Sequence, residues 1–157
     1  MFVSNRILGN VTTIAQLKTY QVGVIEAAAH RALREQKDSL LSEYGLSGVE
    51  WYLIGTVADA GKQGITSTEL AKLLGTTLGF LTKTVSLLEA KNVLYKIANP
   101  KDARSSYIAL NDSYRTTLDT IECALRDKLR DSIYSVVSRE QLGTYIEVMN
   151  KFSTLEK

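Results

Sequence analysis

The stretch from Thr66 to Leu110 constrains this 157-residue chain more than any other. Thr66 with Glu69 three residues later is a capping box, and Leu70, Ala71, Leu73 and Leu74 follow at helical spacing. Gly75 supplies a stop, because a left-handed residue costs little only for glycine. The turn Gly75-Thr76-Thr77 leads into a second helical pattern, from about Leu78 to Lys91, with Leu81, Val85 and Leu88 on one stripe. Asn92 can take the left-handed position that ends it. Two strand-like runs follow, Val93 to Ala98 and Ser106 to Leu110, joined by Asn99-Pro100-Lys101-Asp102-Ala103-Arg104. Leu94, Ile108 and Leu110 are the expected inward side chains.

Helix, turn, helix and then a β-hairpin is the order of a winged helix-turn-helix, whose second helix is shaped to enter a DNA major groove. Charge distribution fits that reading. Residues 61–105 hold seven basic and three acidic side chains, a net of +4, while the rest holds 12 basic and 14 acidic, a net of −2. A positive module in a slightly negative frame suits phosphate contact, although ordinary surface charge would look much the same.

On the second helix, the side away from the apolar stripe carries Thr77, Gly79, Phe80, Thr82, Lys83 and Ser86. Hydroxyls can bond to base edges or phosphates, and Lys83 can reach a guanine edge or a phosphate. Phe80 has two readings, apolar contact with thymine methyls or a ring tucked back into the core. In the wing, an arginine at a projecting tip can enter a narrow minor groove, and Asp102 can accept from Arg104 and fix its direction. Lys96, Asn99, Lys101 and Ser105 complete the candidate wing set.

Around this module the chain reads as helical. Residues from about Val11 to Leu41 form one long pattern through Ile14, Leu17, Gln21, Ile25, Ala28 and Ala32. It carries more apolar stripe than one small domain needs, which points to a second subunit. Gly45 breaks it, and Ser47 with Glu50 caps a helix to about Ala60 bearing Trp51, Leu53, Ile54 and Val57. After Asn111-Asp112 a helix is expected to about Val137, with Leu118, Ile121, Leu125, Leu129, Ile133 and Val136 as its stripe. Ser138 with Gln141 caps the last helix, which carries Leu142, Tyr145, Ile146, Met149 and Phe152. The fold class expected is mainly α with a small β-hairpin wing. Residues 46–110 would be the reading module, and residues 1–45 and 111–157 a helical dimerisation frame continuous with it.

Several functions find no support in the sequence. Gly55 lies six residues before Gly61 and Gln63 stands where a P-loop needs Ser or Thr, so Gly61-Lys62 is not a phosphate loop. His30 is the sole histidine and Cys123 the sole cysteine, which rules out an intrachain disulfide, a multi-cysteine or histidine metal site, and a histidine-based triad within one chain. Neither an enzyme nor a cofactor is expected. Cys123, on or beside the Ile121/Leu125 face, is expected to be a buried, inert thiol, with an exposed redox-sensing thiol as the alternative. The N-terminus is too short and too polar for a signal peptide, and no apolar run approaches a membrane span, so a cytoplasmic protein is expected.

The segments ELAKLLG, TKTVSLLEAKNVL, the NPKDAR tip and the closing IAL resemble the winged helix of the MarR family of regulators. The family pattern has an ELA-x-x-LG turn, a Val-Thr-Arg-x-Val-x-x-Leu-Glu recognition helix and a D-x-R wing tip. The resemblance implies that Thr76, Thr77, Gly79, Phe80, Thr82 and Lys83 face the major groove and that Asp102 and Arg104 serve the wing. This chain departs from the pattern at Leu78-Gly79 (often Pro-Ser), Lys83 (often Arg), Asn92 (usually Gly) and Ile97 (often basic). Fewer guanidinium forks mean weaker bidentate readout.

The resemblance further implies a homodimer built from the terminal helices, here through Ile14, Leu17, Leu125, Leu129, Ile146 and Met149. A physical argument agrees: one winged helix reads few base pairs, and a two-fold dimer reads two half-sites of a pseudo-palindrome. It also implies a pocket for a small aromatic or anionic effector, with Tyr20, Tyr44, Trp51 and Tyr52 as lining candidates; plain core packing is the competing reading of these aromatics. The function expected is a sequence-specific DNA-binding transcriptional regulator, a repressor in the simplest case. The alternative is a winged-helix module for protein–protein contact without DNA readout.

Overall fold

The structure, a computed structural model, describes residues 16–100 and 105–155. Its elements in chain order are α1 (Thr19–Ser42), α2 (Gly48–Asp59), β1 (Ile65–Thr66), α3 (Ser67–Leu73), α4 (Leu78–Ala90), β2 (Leu94–Ala98), β3 (Ser106–Leu110), α5 (Arg115–Ser132) and α6 (Arg139–Ser153).

The long first helix begins later than its apolar pattern suggests. Lys18 is extended, its N–H donates 2.9 Å to the Gln21 side chain, and Leu17 lies before the first turn. Ile14 lies outside the described residues. At the other end, Gly45 adopts φ 65°, and the Leu46 N–H donates 3.2 Å to the Leu41 carbonyl. Both leucines are buried, which gives the helix end its hydrophobic clasp.

The capping boxes form as the sequence requires. The Ser47 hydroxyl accepts from the Glu50 N–H (3.3 Å) while the Glu50 carboxylate accepts from the Ser47 N–H (2.8 Å). Thr66 and Glu69 repeat this at 3.2 and 3.1 Å, and Ser138 with Gln141 at 3.1 and 2.8 Å. Each box satisfies two backbone donors that a helix start would otherwise leave orphaned. Gly75 (φ 60°) and Asn92 (φ 58°) take the left-handed positions predicted for them.

The wing is a three-stranded antiparallel sheet in the order β1-β3-β2, not a two-stranded hairpin. Leu94 pairs with Leu110 and Ala98 with Ser106, while β1 adds Ile65 opposite Ile108. Leu94, Ile108 and Leu110 point into the core, as their alternation predicts. β1 is two residues long and follows Gly64, whose φ of 73° and ψ of −177° bring it against β3.

The fifth predicted helix also ends early, at Ser132 and not near Val137. The Ser132 hydroxyl bonds the Lys128 carbonyl (2.7 Å) and the Ser135 hydroxyl bonds that of Ser132 (2.9 Å). Hydroxyls there compete for helix carbonyls, and the chain turns through a 3₁₀ segment at Tyr134–Val136, leaving Val136 exposed.

A single hydrophobic core spans all of this. It runs from Leu41 and Leu46 through Leu53, Ile54 and Val57, the α3, α4 and wing residues, and on to Leu118, Ile121 and Leu125 of α5. The reading module and α5 therefore share one core. By contrast, α6 has no buried residue, and α1 buries only Leu41. No helix among the described residues is long and apolar enough to cross a membrane.

Candidate nucleic-acid interface

Helix α4 buries Leu81, Thr84, Val85 and Leu88, and this sets which residues face outward. Thr77, Gly79, Phe80, Thr82, Lys83 and Ser86 are all exposed, and Thr76 is half-buried in the turn. Phe80 is 49% exposed, so its ring does not tuck into the core. The sequence reading missed two further apolar side chains on this helix, Leu78 and Leu87, which are 50% and 60% exposed. Leu87 was legible: it lies seven residues after Phe80, hence on the same stripe.

The hydroxyls are less free than their residue types suggest. Thr77 is the N-cap and accepts from the Phe80 N–H at 3.3 Å. Thr82 donates to the Leu78 carbonyl at 2.8 Å, and buried Thr84 to the Phe80 carbonyl at 3.1 Å. Lys83 has no ion-pair partner among the described residues. An added Cβ at Gly79 would meet nothing within 4 Å, so the backbone there is open to a close approach.

The wing lies beside the end of α4. Lys96 of β2 pairs with Glu89 of α4 at 2.7 Å, which ties the two elements together and partly neutralises that lysine. At the neck of the wing the Asn99 amide donates 2.8 Å to the Ser105 hydroxyl, joining the strand ends across the tip. Lys101, Asp102 and Arg104 lie outside the described residues. Lys91, at the helix end, pairs with Glu50 of α2 at 3.3 Å. Partial burial raises the Glu50 pKa, but the Ser47 N–H and hydroxyl and the Lys91 ammonium outweigh it and hold the carboxyl below the ordinary glutamate value. At Glu69 the Thr66 hydroxyl and N–H do the same.

Of the four aromatics proposed as a pocket, Trp51 and Tyr52 share a cavity. Trp51 lines one cavity of about 610 Å³ with Leu125, Leu129 and three arginines, Arg126, Arg130 and Arg139. It shares a second, of about 530 Å³, with Tyr52. Tyr20 and Tyr44 line neither: Tyr20 stands exposed at the start of α1, and Tyr44 packs against the core. Two of the arginines are partnered, Arg126 by Glu122 (3.0 Å) and Arg130 by Asp127 (3.1 Å).

The candidate dimer residues divide as well. Leu125 is 4% exposed in the chain's own core, because it continues the Leu118/Ile121 stripe that packs on the reading module. Leu129 is half-buried, whereas Ile146 and Met149 are 58% and 47% exposed on α6. Cys123 is exposed, contrary to expectation. Two residues from Ile121 and two from Leu125, it sits about 200° around the helix from each, on the opposite face.

Two helices joined by a tight turn, a three-stranded sheet and an outward-facing second helix define a winged helix-turn-helix protein. The family sequence model described as MarR family matches residues 44–105 of the chain. A MarR family transcriptional regulator from Streptomyces coelicolor, solved in complex with DNA, matches with a TM-score of 0.76 at 23% identity, over 87% of this chain and 88% of its own. A mutant of Escherichia coli MarR complexed with operator DNA gives 0.74 at 17% identity, over 97% and 99%. The MepR–DNA complex of Staphylococcus aureus gives 0.66 at 18%, over 88% and 98%. At these identities the likeness is one of fold. No curated protein sequence matches the chain.

Proposed function

We propose that this protein is a transcriptional regulator that binds DNA as a homodimer on a pseudo-palindromic operator. The observation that carries the reading is the outward face of α4. From Leu78 to Leu88 it holds no acidic residue, it bears Lys83, which has no ion-pair partner among the described residues, and the wing is pinned beside its end. A helix face free of carboxylates over that stretch can approach phosphates without repulsion, and the second helix of this fold is the one shaped for the major groove. The three solved structures above, each bound to DNA, support the same use of the fold.

Residues 46–110 do the reading in this proposal, with Thr76, Thr77, Gly79, Phe80, Thr82, Lys83 and Ser86 in the major groove. Lys96, Asn99, Lys101, Asp102, Arg104 and Ser105 form the wing contact. The frame, residues 1–45 and 111–157, forms the dimer. The exposed Ile146, Met149 and Phe152 of α6, a helix with nothing buried, support that assignment. Repression follows most simply, since occupancy of a promoter suffices for it. A small anion in the Trp51 cavity would shift the spacing of the two reading heads and so the affinity.

The test is a titration against promoter-region DNA across salt concentrations, with the mass in solution measured alongside. Sequence-preferring binding by a dimer is expected, with log affinity falling linearly against log salt. Lys83→Ala and Arg104→Ala should each weaken binding, and a lost phosphate contact lowers the salt slope by about one. Absence of any DNA affinity at low salt overturns the proposal and leaves a protein-contact module. Wild-type binding by both variants overturns the site assignment.

A further inference from the structure

We infer that α4 reads its half-site through thymine 5-methyl groups, with Phe80 as the principal reader, and not through bidentate hydrogen bonds. This rests on the DNA-binding role proposed above and names the feature of DNA that the role selects. The side chains that form paired hydrogen bonds with a base edge are arginine and lysine on guanine and asparagine or glutamine on adenine. Helix α4 contains no arginine, asparagine or glutamine, and Lys83 is its one cation. As a point charge on a flexible stem, lysine discriminates less sharply than a guanidinium fork.

The remaining polar groups offer little to replace them. The hydroxyl hydrogens of Thr82 and Thr84 already go to carbonyls one turn back, the Thr77 oxygen accepts as the cap, and Thr76 and Ser86 offer single hydroxyls that cannot form the paired bonds of an amide or guanidinium. Thr82 therefore presents a methyl and an acceptor but no donor. What the helix does expose is apolar: Phe80 and Leu87 lie seven residues apart on one stripe, about half and somewhat more than half exposed. In the unbound chain those surfaces are in water. In the major groove, the apolar group that every T·A pair displays is the thymine methyl, which cytosine lacks. The open backbone at Gly79 lets the first turn, and Phe80 with it, come close to the base edges.

The experiment begins with duplexes selected from a random pool by the full-length protein. Thymines of the selected half-site are then replaced one at a time by uracil, which removes the methyl and leaves every hydrogen-bonding group. One or two positions per half-site should lose about fourfold in affinity each, the transfer free energy of one methyl group expressed as a ratio. That loss should vanish in Phe80→Ala and persist in part in Phe80→Leu, with circular dichroism unchanged in both. Sequence-specific binding that ignores uracil at every position overturns the inference and leaves the DNA-binding role intact. Uracil sensitivity undiminished in Phe80→Ala overturns the assignment to Phe80. No binding to any duplex overturns both.

Discussion

Replacing Gly64 by alanine should unfasten the wing from the body of the protein. Gly64 has φ 73° and ψ −177°, a region essentially reserved for glycine, and holding alanine there costs on the order of 1–3 kcal/mol. The new Cβ would lie 2.6 Å from the Ile108 carbonyl oxygen, and 3.1 Å from both the Ile108 carbonyl carbon and the Tyr107 Cβ. These are backbone and near-backbone atoms of β3, which is paired on both sides and cannot retreat. The clash is relieved by lifting β1 off β3, at about 1 kcal/mol for each hydrogen bond lost, while the cost of the positive φ remains. Together the loss is about 3–5 kcal/mol, a large share of the roughly 5–15 kcal/mol that holds a domain folded. For a chain of this size it corresponds to a fall in Tm of about 10 °C. Thermal and urea melts at matched protein concentration measure it. Gly55→Ala, in the middle of α2 with nothing within 4 Å of the added carbon, is the control and should gain up to about 1 kcal/mol. A Gly64→Ala protein that melts within 2 °C of wild type (roughly 1 kcal/mol or less) would refute the argument.

Two further outcomes follow from the same geometry. Because the Glu50 carboxyl is held below the ordinary glutamate value in the folded chain, its stabilising effect is complete above the unfolded pKa and is lost as pH falls through the folded one. Glu50→Gln should therefore trail wild type in urea midpoint at pH 7, and the gap should narrow as pH falls below the ordinary glutamate range; a gap independent of pH contradicts the account. Cys123, exposed on the outer face of α5, should react with a thiol reagent in the native protein at the rate of a free thiol. Protection without denaturant would mean that the face is covered in solution.

The parts of the fold legible in the sequence are those that local chemistry dictates. Ser47/Glu50, Thr66/Glu69 and Ser138/Gln141 each mark a helix start to the residue, because a cap is a bond between neighbours. Gly45, Gly75 and Asn92 mark stops for the same reason. Features decided by distant partners were not legible. Two residues, Ile65 and Thr66, carry no alternation, so β1 is visible only once β3 lies alongside. Leu125 reads as apolar whether its stripe meets the reading module or another subunit, and only the packed core shows which. At the candidate interface, residue types along α4 suggested hydroxyl donors, but whether a threonine hydroxyl turns outward or back to its own helix is a rotamer choice that no pattern records. The pairing of Lys96 with Glu89 joins a strand to a helix, and no local pattern marks it.

The contact between Asp38 and Gly48 has a mechanical consequence. The Gly48 N–H donates 3.1 Å to the Asp38 carboxylate, and a Cβ at Gly48 would stand 2.7 Å from that oxygen, so a larger residue there would push the carboxylate aside. Helix α1 is a rod about 36 Å long by its 24 residues, ending at the Gly45 bend. Asp38 lies on that rod one turn before its end, and Gly48 is the first residue of α2. The bond is thus a short strut bracing a long lever close to its fulcrum. A 5° swing of the rod would carry its far end through about 3 Å but would shift the strut by only a fraction of that, within the reach of one hydrogen bond. Larger swings must break the bond or take α2 with them. A displacement at the far end of α1 is thereby geared down, and delivered as a small, stiff displacement to the first helix of the winged-helix unit.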